Sequence, residues 1–258
     1  MEIVVCVKQV PDVDDIKWTK ENNLDREQML SCINPHDEYA LNYAVKIRRK
    51  IKGSNVTVIS MGPNKASEIL SYAIAKGADR AILLSDKRFS GSDTLITAKI
   101  LSKAIKKYIG NFDVIITGQA ASDGDTEQTP IGIATELDIA DITNVIEITN
   151  ADNKLAIVKQ KLNNEINLVE AETPCLIAVK EECDETFTPK IEDYVRSQMI
   201  KPEIYNADDL GFQKEETGIL GSPTMVFKAF RPENKKIAEL IEENKAKTLI
   251  NKIIEAKQ

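Results

Sequence analysis

The sequence predicts an α/β protein with a doubly wound, mostly parallel sheet, an antiparallel extension of that sheet and a C-terminal arm that ends in a helix. Three observations carry this prediction. Over the first ~140 residues, short runs rich in Val and Ile alternate with helical patterns, as in a parallel sheet with helices on both faces. Strand-like runs then follow one another directly. After residue 189 the periodic core pattern gives way to a long polar segment.

The parallel part is predicted to contain four strands, at residues 3–7, 55–60, 80–84 and 114–117. The helix after the first strand is marked at both ends. Asn34 can cap this helix, Pro35 suits its first position, and acidic residues follow in its first turn. The basic run at 46–50 complements the negative end of the helix dipole.

The next two helices also carry terminal signals. One covers residues 65–76 and stops at Gly77, which suits the position after a helix C-terminus. The other begins near Asp93, with Ser92 as the predicted cap. Beyond residue 140, four runs predict an antiparallel extension of the sheet, and turn residues separate several of them. These runs are TNVIEIT, KLAIVKQKL, EINLVEA and CLIAVK.

The C-terminal part is predicted to form a separate arm. We expect residues 1–188 to form the α/β domain and residues 189–258 the arm, because a long connection without a strong pattern often functions or packs on another surface. The arm ends in an apolar helical stripe that docks either on this chain's own sheet or on another subunit. The stripe consists of Ile237, Leu240, Ile241, Leu249, Ile250, Ile253 and Ile254.

Composition argues against several classes of function. The 34 basic and 41 acidic residues give a net charge of -7, which disfavours nucleic acid as a partner, because such binding depends on Lys and Arg. The apolar runs are far shorter than the ~20 residues that cross a bilayer, so we expect no membrane span. A single histidine excludes a His-rich metal site. The four cysteines form no C-x-x-C pair and no signal segment is evident, so we expect a reducing, cytoplasmic setting.

The segment GQAASDGDTEQTP, residues 118–130, is the most informative candidate for a ligand site. It follows the fourth predicted strand, and in open α/β sheets ligands bind beyond the carboxyl ends of the strands. Its small residues allow backbone N–H groups to approach a phosphate, and the next helix adds its partial positive charge. The segment therefore predicts a phosphate-binding loop, although an ordinary capped loop without a ligand stays possible.

The acidic residues of this loop are predicted to shape it. Asp125 or Thr126 can cap the following helix, or Thr129 can cap it with Pro130 at the first position, and the sequence does not choose. A metal site at Asp123 and Asp125 is disfavoured because the spacing of a calcium loop is absent.

Two residues near the first strand have competing interpretations. Lys8 is either a cation that faces a cofactor or a solvated lysine, and Cys6 is better explained as a buried apolar residue than as a nucleophile. No catalytic Ser/His/Asp or Cys/His set can be argued. The residues alone predict a nucleotide-binding α/β protein with a partner-seeking arm.

Six segments in order give a resemblance to a known family. They are CVKQVPD, INPHDEYALNYAV, SMGP followed by AIAKGADRAILL, GQAASDGDTEQT, TPCLIAV, and a tail that contains ADDLG and ETGILGSPTMVFKAFRP. With them the chain resembles the β subunit of electron transfer flavoprotein along essentially its whole length. The resemblance implies an adenine-nucleotide-hydrolase-like fold and a heterodimer with an α subunit that holds its own FAD.

The resemblance also implies positions for the nucleotide site and for partner contacts. Ile191 matches an apolar residue that anchors in a partner dehydrogenase, and the C-terminal helix would embrace the α subunit. The implied cofactor-binding residues are Cys6, Asn34, Pro35, His36, Asp37, Met61, Ala121, Ser122, Asp123, Gly124, Asp125, Thr126, Glu127, Gln128, Thr129, Pro130, Ile131 and Gly132.

The family divides into two kinds of protein. In carriers the β subunit binds only AMP, as a structural nucleotide. In bifurcating members it binds a second FAD, which takes electrons from NADH and sends them to ferredoxin and, through the α-subunit FAD, to an acyl-CoA or 2-hydroxy-acid dehydrogenase. The DGDT loop and the GSPT tail resemble the bifurcating group, with the AMP carrier as the alternative. A nucleotide-hydrolysing enzyme is disfavoured by the long arm.

Overall fold

The computed structural model describes residues 1–12, 31–226 and 245–255. Over these residues the main sheet has nine strands, and two further short strands pair beside it. The strands are β1 (Glu2–Cys6), β2 (Gln9–Pro11), β3 (Ser31–Ile33), β4 (Asn55–Met61), β5 (Arg80–Leu84), β6 (Val114–Gly118), β7 (Ala140–Ala151), β8 (Leu155–Leu162), β9 (Glu165–Glu172), β10 (Cys175–Val179) and β11 (Glu203–Tyr205). The helices are α1 (Pro35–Lys50), α2 (Ser67–Lys76), α3 (Thr94–Ala104), α4 (Thr129–Leu137), α5 (Ile191–Met199), α6 (Gly218–Gly221) and α7 (Lys245–Glu255).

The strand order confirms the predicted fold class. It runs β11, β5, β4, β1, β6, β10, β7, β8 and β9, with β8 antiparallel to both β7 and β9 and the other neighbours parallel. The chain moves from β1 through β4 to β5 on one side, and β6 then lies on the other side of β1. Strand order therefore reverses beside β1, which opens a crevice at the carboxyl ends of β1 and β6.

The sheet separates two apolar cores because successive side chains of a strand point to opposite faces. On β1, Ile3 and Val5 pack in the core that includes α1 and α2. Val4 and Cys6 pack in the core that includes α3 and α4. The burial of both faces explains why the parallel strands are continuous apolar runs rather than alternating ones.

Two helix boundaries test the predicted terminal signals. Gly77 ends α2 with φ of 129°, as predicted. The prediction that Ser92 caps α3 is wrong, because the Asp93 carboxylate accepts from the Ile96 amide and is the cap. The Ser92 hydroxyl instead donates to the Phe89 carbonyl at 2.8 Å, so a short-range bond within the preceding loop occupies it.

The predicted antiparallel extension is confirmed for β7, β8 and β9. The assignment of CLIAVK to that extension is wrong, because β10 lies between β6 and β7 and runs parallel to both. All five residues of β10 are buried. A continuous apolar run of this kind belongs in the centre of a sheet, where helices cover both faces.

The segment that follows residue 189 has more regular structure than its sequence pattern indicates. It contains α5, and β11 then joins the edge of the main sheet beside β5. Ala207, Leu210 and Phe212 pack in the core with α3 and α4. The boundary between residues 188 and 189 stays a prediction.

The apolar stripe of the C-terminal helix is described in part. Leu249, Ile250, Ile253 and Ile254 lie on α7 and are each about half exposed, so the described part of this stripe is not docked on the sheet. Ile237, Leu240 and Ile241 lie outside the described residues. Among the helices that the structure describes, none is long and apolar enough to span a membrane.

Candidate functional site

Three segments meet at the carboxyl end of the sheet, beside the point where strand order reverses. They are the residues after β1, the first turn of α1, and the loop that joins β6 to α4 at residues 118–128. Hydrogen bonds between these segments define the crevice, and the side chains of Asp37 in α1 and of Asn34 just before it supply most of them.

The Asp37 carboxylate ties the first and third segments to α1. Its Oδ2 accepts from the Lys8 amide at 2.7 Å, and its Oδ1 accepts from the Gly118 amide at 3.1 Å. The side chain is buried. Burial raises the pKa of Asp37 to about 7, and it outweighs the hydrogen bonds from Asn34 and the two amides, which favour the charged form.

Asn34 is the N-cap residue of α1, as predicted, but its side chain bonds to the loop and makes no capping bond to the helix. Its amide donates to the Ala120 carbonyl at 2.9 Å, and its Oδ1 accepts from the Ser122 amide at 3.0 Å. The main-chain carbonyl of Asn34 already accepts from the amides of Asp37 and Glu38. The side chain is therefore available to fix the conformation of the loop.

Gly118 is required by the close approach of β6 to α1. A Cβ atom at this position would lie 2.7 Å from the main-chain carbon and the Cβ of His36, and closer still to Oδ1 of Asp37. Real Cβ atoms do not approach backbone so closely. Any side chain larger than hydrogen would therefore separate the loop from α1.

The loop reaches α4 through two residues in the left-handed region, Asp125 with φ of 46° and Glu127 with φ of 56°. The N-cap of α4 is Gln128, whose side chain makes no capping bond. The proposals that Asp125, Thr126 or Thr129 caps α4 are therefore wrong. The backbone turns twice before the helix begins, which carries Asp125 and Thr126 away from its first amides. The N-terminus of α4 thus keeps N–H groups that no side chain caps.

The acidic residues of the loop make specific side-chain pairs. Asp123 accepts from the Lys8 ammonium at 2.6 Å, which joins the loop to the end of β1. Lys8 is thus an exposed but paired lysine. The Glu127 carboxylate accepts from the side-chain amide of Gln119 at 3.2 Å. Asp123 and Glu127 therefore brace the loop through side-chain partners.

Cys6 and Thr117 are neighbours on β1 and β6. Burial, with a further contribution from the negative charge of Asp37, raises the pKa of the Cys6 thiol to about 12. The predicted burial of Cys6 is confirmed, and a raised pKa disfavours the thiolate form that a nucleophile requires. The Thr117 hydroxyl and Nδ1 of His36 are buried polar atoms without a partner in the described part of the chain. Thr117 lies near the carboxyl end of β6 and His36 in the first turn of α1, the two elements that border the crevice.

Gln119 supports the crevice and was not found from the sequence. Its main-chain amide donates to the Val179 carbonyl at 2.8 Å, and its side-chain Oε1 accepts from the main-chain amide of Asn144 at 2.7 Å. It is buried and joins β6, β7 and the end of β10. No local pattern predicts this role, because its partners lie on strands distant in sequence.

The tail that contains GSPT reaches the same end of the sheet. Oδ2 of Asp93 accepts from the Thr224 amide at 3.1 Å and from its hydroxyl at 2.8 Å. The Thr94 hydroxyl, one residue later, donates to Oε1 of Gln128 at 3.0 Å. The start of α3 therefore connects the tail to the end of the loop.

The remaining predicted residues occupy two places. Met61 is the last residue of β4 and is partly buried at the same carboxyl end of the sheet. Ile191 begins α5, which packs on α2, and it is 84% exposed. The structure thus brings the predicted nucleotide contacts together and keeps Ile191 on a separate surface.

The crevice is suited to binding a phosphate group. It offers the uncapped N-terminus of α4, small residues in the loop and two unsatisfied polar atoms. No group of three or more His, Cys, Asp or Glu residues in the described chain can hold a metal ion. These features fit the phosphates of a nucleotide.

Comparisons with known proteins identify the family. The family model described as electron transfer flavoprotein domain matches residues 23–202. The chain is 40% identical over 246 residues to the electron transfer flavoprotein subunit beta of Thermoanaerobacterium thermosaccharolyticum, with 95% of this chain and 93% of that one covered. It is 37% identical over 242 residues to the caffeyl-CoA reductase-Etf complex subunit CarD of Acetobacterium woodii, with 93% and 92% covered. It is 35% identical over 266 residues to the electron transfer flavoprotein subunit beta of Megasphaera elsdenii, with 99% and 97% covered. The chain therefore belongs to the β subunits of the electron transfer flavoprotein family.

Proposed function

We propose that this β subunit binds FAD in the crevice, accepts electrons from NADH, and divides them between ferredoxin and a partner dehydrogenase, the latter through the FAD of an α subunit. The observation that carries the proposal is the crevice itself, in which the loop at 118–128 leads into the uncapped N-terminus of α4. FAD, when bound, supplies the redox chemistry, and the protein binds and orients it.

The phosphates are proposed to lie at the start of α4. Residues 122–126 are exposed, and the helix dipole adds partial positive charge. The amides of Ser122, Gly124 and Asp125 already donate within the loop or to Asn34, so they shape the loop. Asn34 and Asp37 would hold the loop in place without contacting the phosphates. The other proposed contacts are Cys6, Pro35, His36, Met61 and residues 127–132.

Two segments support FAD over AMP. The DGDT loop and the GSPT tail both resemble the bifurcating group. At the start of α3, Asp93 bonds to Thr224 of the tail and Thr94 bonds to Gln128 at the end of the loop. A tail held beside the loop lengthens the wall of the crevice beyond the phosphate position. A longer wall suits a dinucleotide more than a mononucleotide. The AMP carrier remains the alternative function.

The partners are proposed from exposed apolar surfaces. The half-exposed stripe of α7 is proposed to pack on the α subunit. The relative from Acetobacterium woodii is named as a subunit of a reductase–Etf complex. A partner dehydrogenase that acts on an acyl-CoA or on a 2-hydroxy acid fits the same organisation.

Cofactor content tests the two functions. The αβ heterodimer should be purified without added nucleotide, denatured, and its released cofactors quantified by chromatography. Two FAD per heterodimer are expected. One FAD together with one AMP would contradict the bifurcating function and leave the carrier.

Ile191→Ala is expected to weaken electron delivery to the dehydrogenase while flavin content stays unchanged. The side chain is 84% exposed, so its loss costs the fold little, whereas an anchor buried in a partner typically contributes more than about 1 kcal/mol to binding. Reduction of the dehydrogenase should be followed at several dehydrogenase concentrations.

Ile166→Ala is the matched control, because it removes the same side chain from an exposed position on β9. Equal effects of the two substitutions would show that Ile191 is not an anchor. Loss of flavin from the Ile191→Ala variant would also contradict the assignment.

A further inference from the structure

A second concave site lies away from the nucleotide crevice, between the C-terminal ends of α1 and α2 and the segment that leads into α5. Its volume is about 350 Å³. Four cationic side chains line it, Arg48, Arg49, Lys76 and Arg196, with Asp193 as the only carboxylate in the described lining.

Two of the four cations are already matched by carboxylates. The Arg48 guanidinium makes two bonds to Asp79, with Nε 2.6 Å from Oδ2. The Lys76 ammonium lies 2.6 Å from Oε1 of Glu38. The first pair joins α1 to the residue before β5, the second joins α1 to α2, and both leave little positive charge for a ligand.

The other two cations have no carboxylate partner among the residues that the structure describes. The Arg49 guanidinium stacks 3.8 Å from the ring centre of Phe187 and is exposed. Nη2 of Arg196 donates to the Ile74 carbonyl at 2.8 Å, but its Nε is buried without a partner. A buried N–H of a guanidinium is normally satisfied, and most strongly by an anion.

We propose that this cavity binds a phosphate group, either as the free ion or as a monoester. Guanidinium groups match phosphate geometry, and both Arg49 and Arg196 have donor capacity that no described residue uses. Asp193 opposes an anion, but its Oδ2 accepts from the Lys190 amide at 2.9 Å. The site does not depend on the function proposed for the nucleotide crevice. Because Arg196 belongs to α5, a bound phosphate would also fasten this helix to α1 and α2.

The test is a titration of the full chain with inorganic phosphate and, separately, with glycerol phosphate. The Nε–H resonance of Arg196 should shift as either ligand binds. Arg196→Gln should weaken binding by about 10-fold, as expected for loss of a charge-assisted hydrogen bond. Asp193→Asn should strengthen binding, because it removes the opposing charge. The ligand that binds more tightly identifies the source of the phosphate.

Lys99→Gln is the matched control, since it removes one exposed positive charge from α3 on the other face of the sheet. It should leave the affinity unchanged. Equal affinities of the Arg196→Gln and Lys99→Gln variants would overturn the proposal. An unmoved Nε–H resonance of Arg196 at saturating phosphate would overturn it independently, and would assign any observed binding to the nucleotide crevice.

Discussion

Gly118→Ala is expected to destabilise the protein by about 2 to 3 kcal/mol and to lower its nucleotide content, because overpacking at a rigid contact forces the backbone apart. The added methyl group would meet the main chain of His36 and the Asp37 carboxylate, neither of which can rotate away. The loop and α1 would separate, and the hydrogen bond from the Gly118 amide to Asp37 would lengthen or break.

Gly124→Ala provides the comparison within the same loop. Nothing lies within 4 Å of a Cβ atom at Gly124, and its φ is outside the left-handed region. This variant should keep its stability. The free energy of unfolding in urea and the cofactor released per protein should be measured for both variants. Equal values for the pair would show that the contact between β6 and α1 does not govern the crevice.

Asp37→Asn is expected to change how stability depends on pH. Burial raises the pKa of Asp37 to about 7, so the native state keeps a proton that the unfolded chain releases near the ordinary value of 3.8. The contribution of Asp37 to stability is full below the unfolded pKa and is lost as pH rises towards the native pKa. Between about pH 5 and about pH 8 this loss amounts to about 3 kcal/mol.

The measurement is the free energy of unfolding across that pH range. The stability of the unmodified protein, minus that of Asp37→Asn, should decrease as pH rises. Asp152→Asn is the control: Asp152 also accepts two backbone N–H bonds, but these lower its pKa, so its contribution is constant above about pH 5. Parallel profiles for the unmodified protein and Asp37→Asn would show that Asp37 does not titrate in this range.

Local patterns predicted the parallel strands and the helices between them because each pattern reflects burial within one element. Gly77 and the strand at residues 80–84 were placed correctly for this reason. The position of a strand within the sheet could not be predicted in this way, because it depends on partners distant in sequence. For example, β10 follows β9 in sequence yet pairs with β6. Three residues of β11 are too few to show a period.

The position of the site could be predicted, but the contacts that build it could not. Its place at the strand ends follows from the fold class. The Asn34 side chain, by contrast, could bond either to the first amides of α1 or to the loop. Only the packed structure shows that it bonds to the loop. The same holds for Lys8 and Asp123, which pair across the crevice from segments far apart in the chain.

The insertion of β10 between β6 and β7 constrains the order in which this protein can be completed during synthesis. Until residues 175–179 have left the ribosome, β6 and β7 share no neighbour, and each presents an open edge to solvent. The hairpins of β7, β8 and β9 can form earlier because their pairing is local. A chain that stops before residue 175 therefore lacks the strand that joins β6 to β7, and its two unpaired strand edges are sites for aggregation.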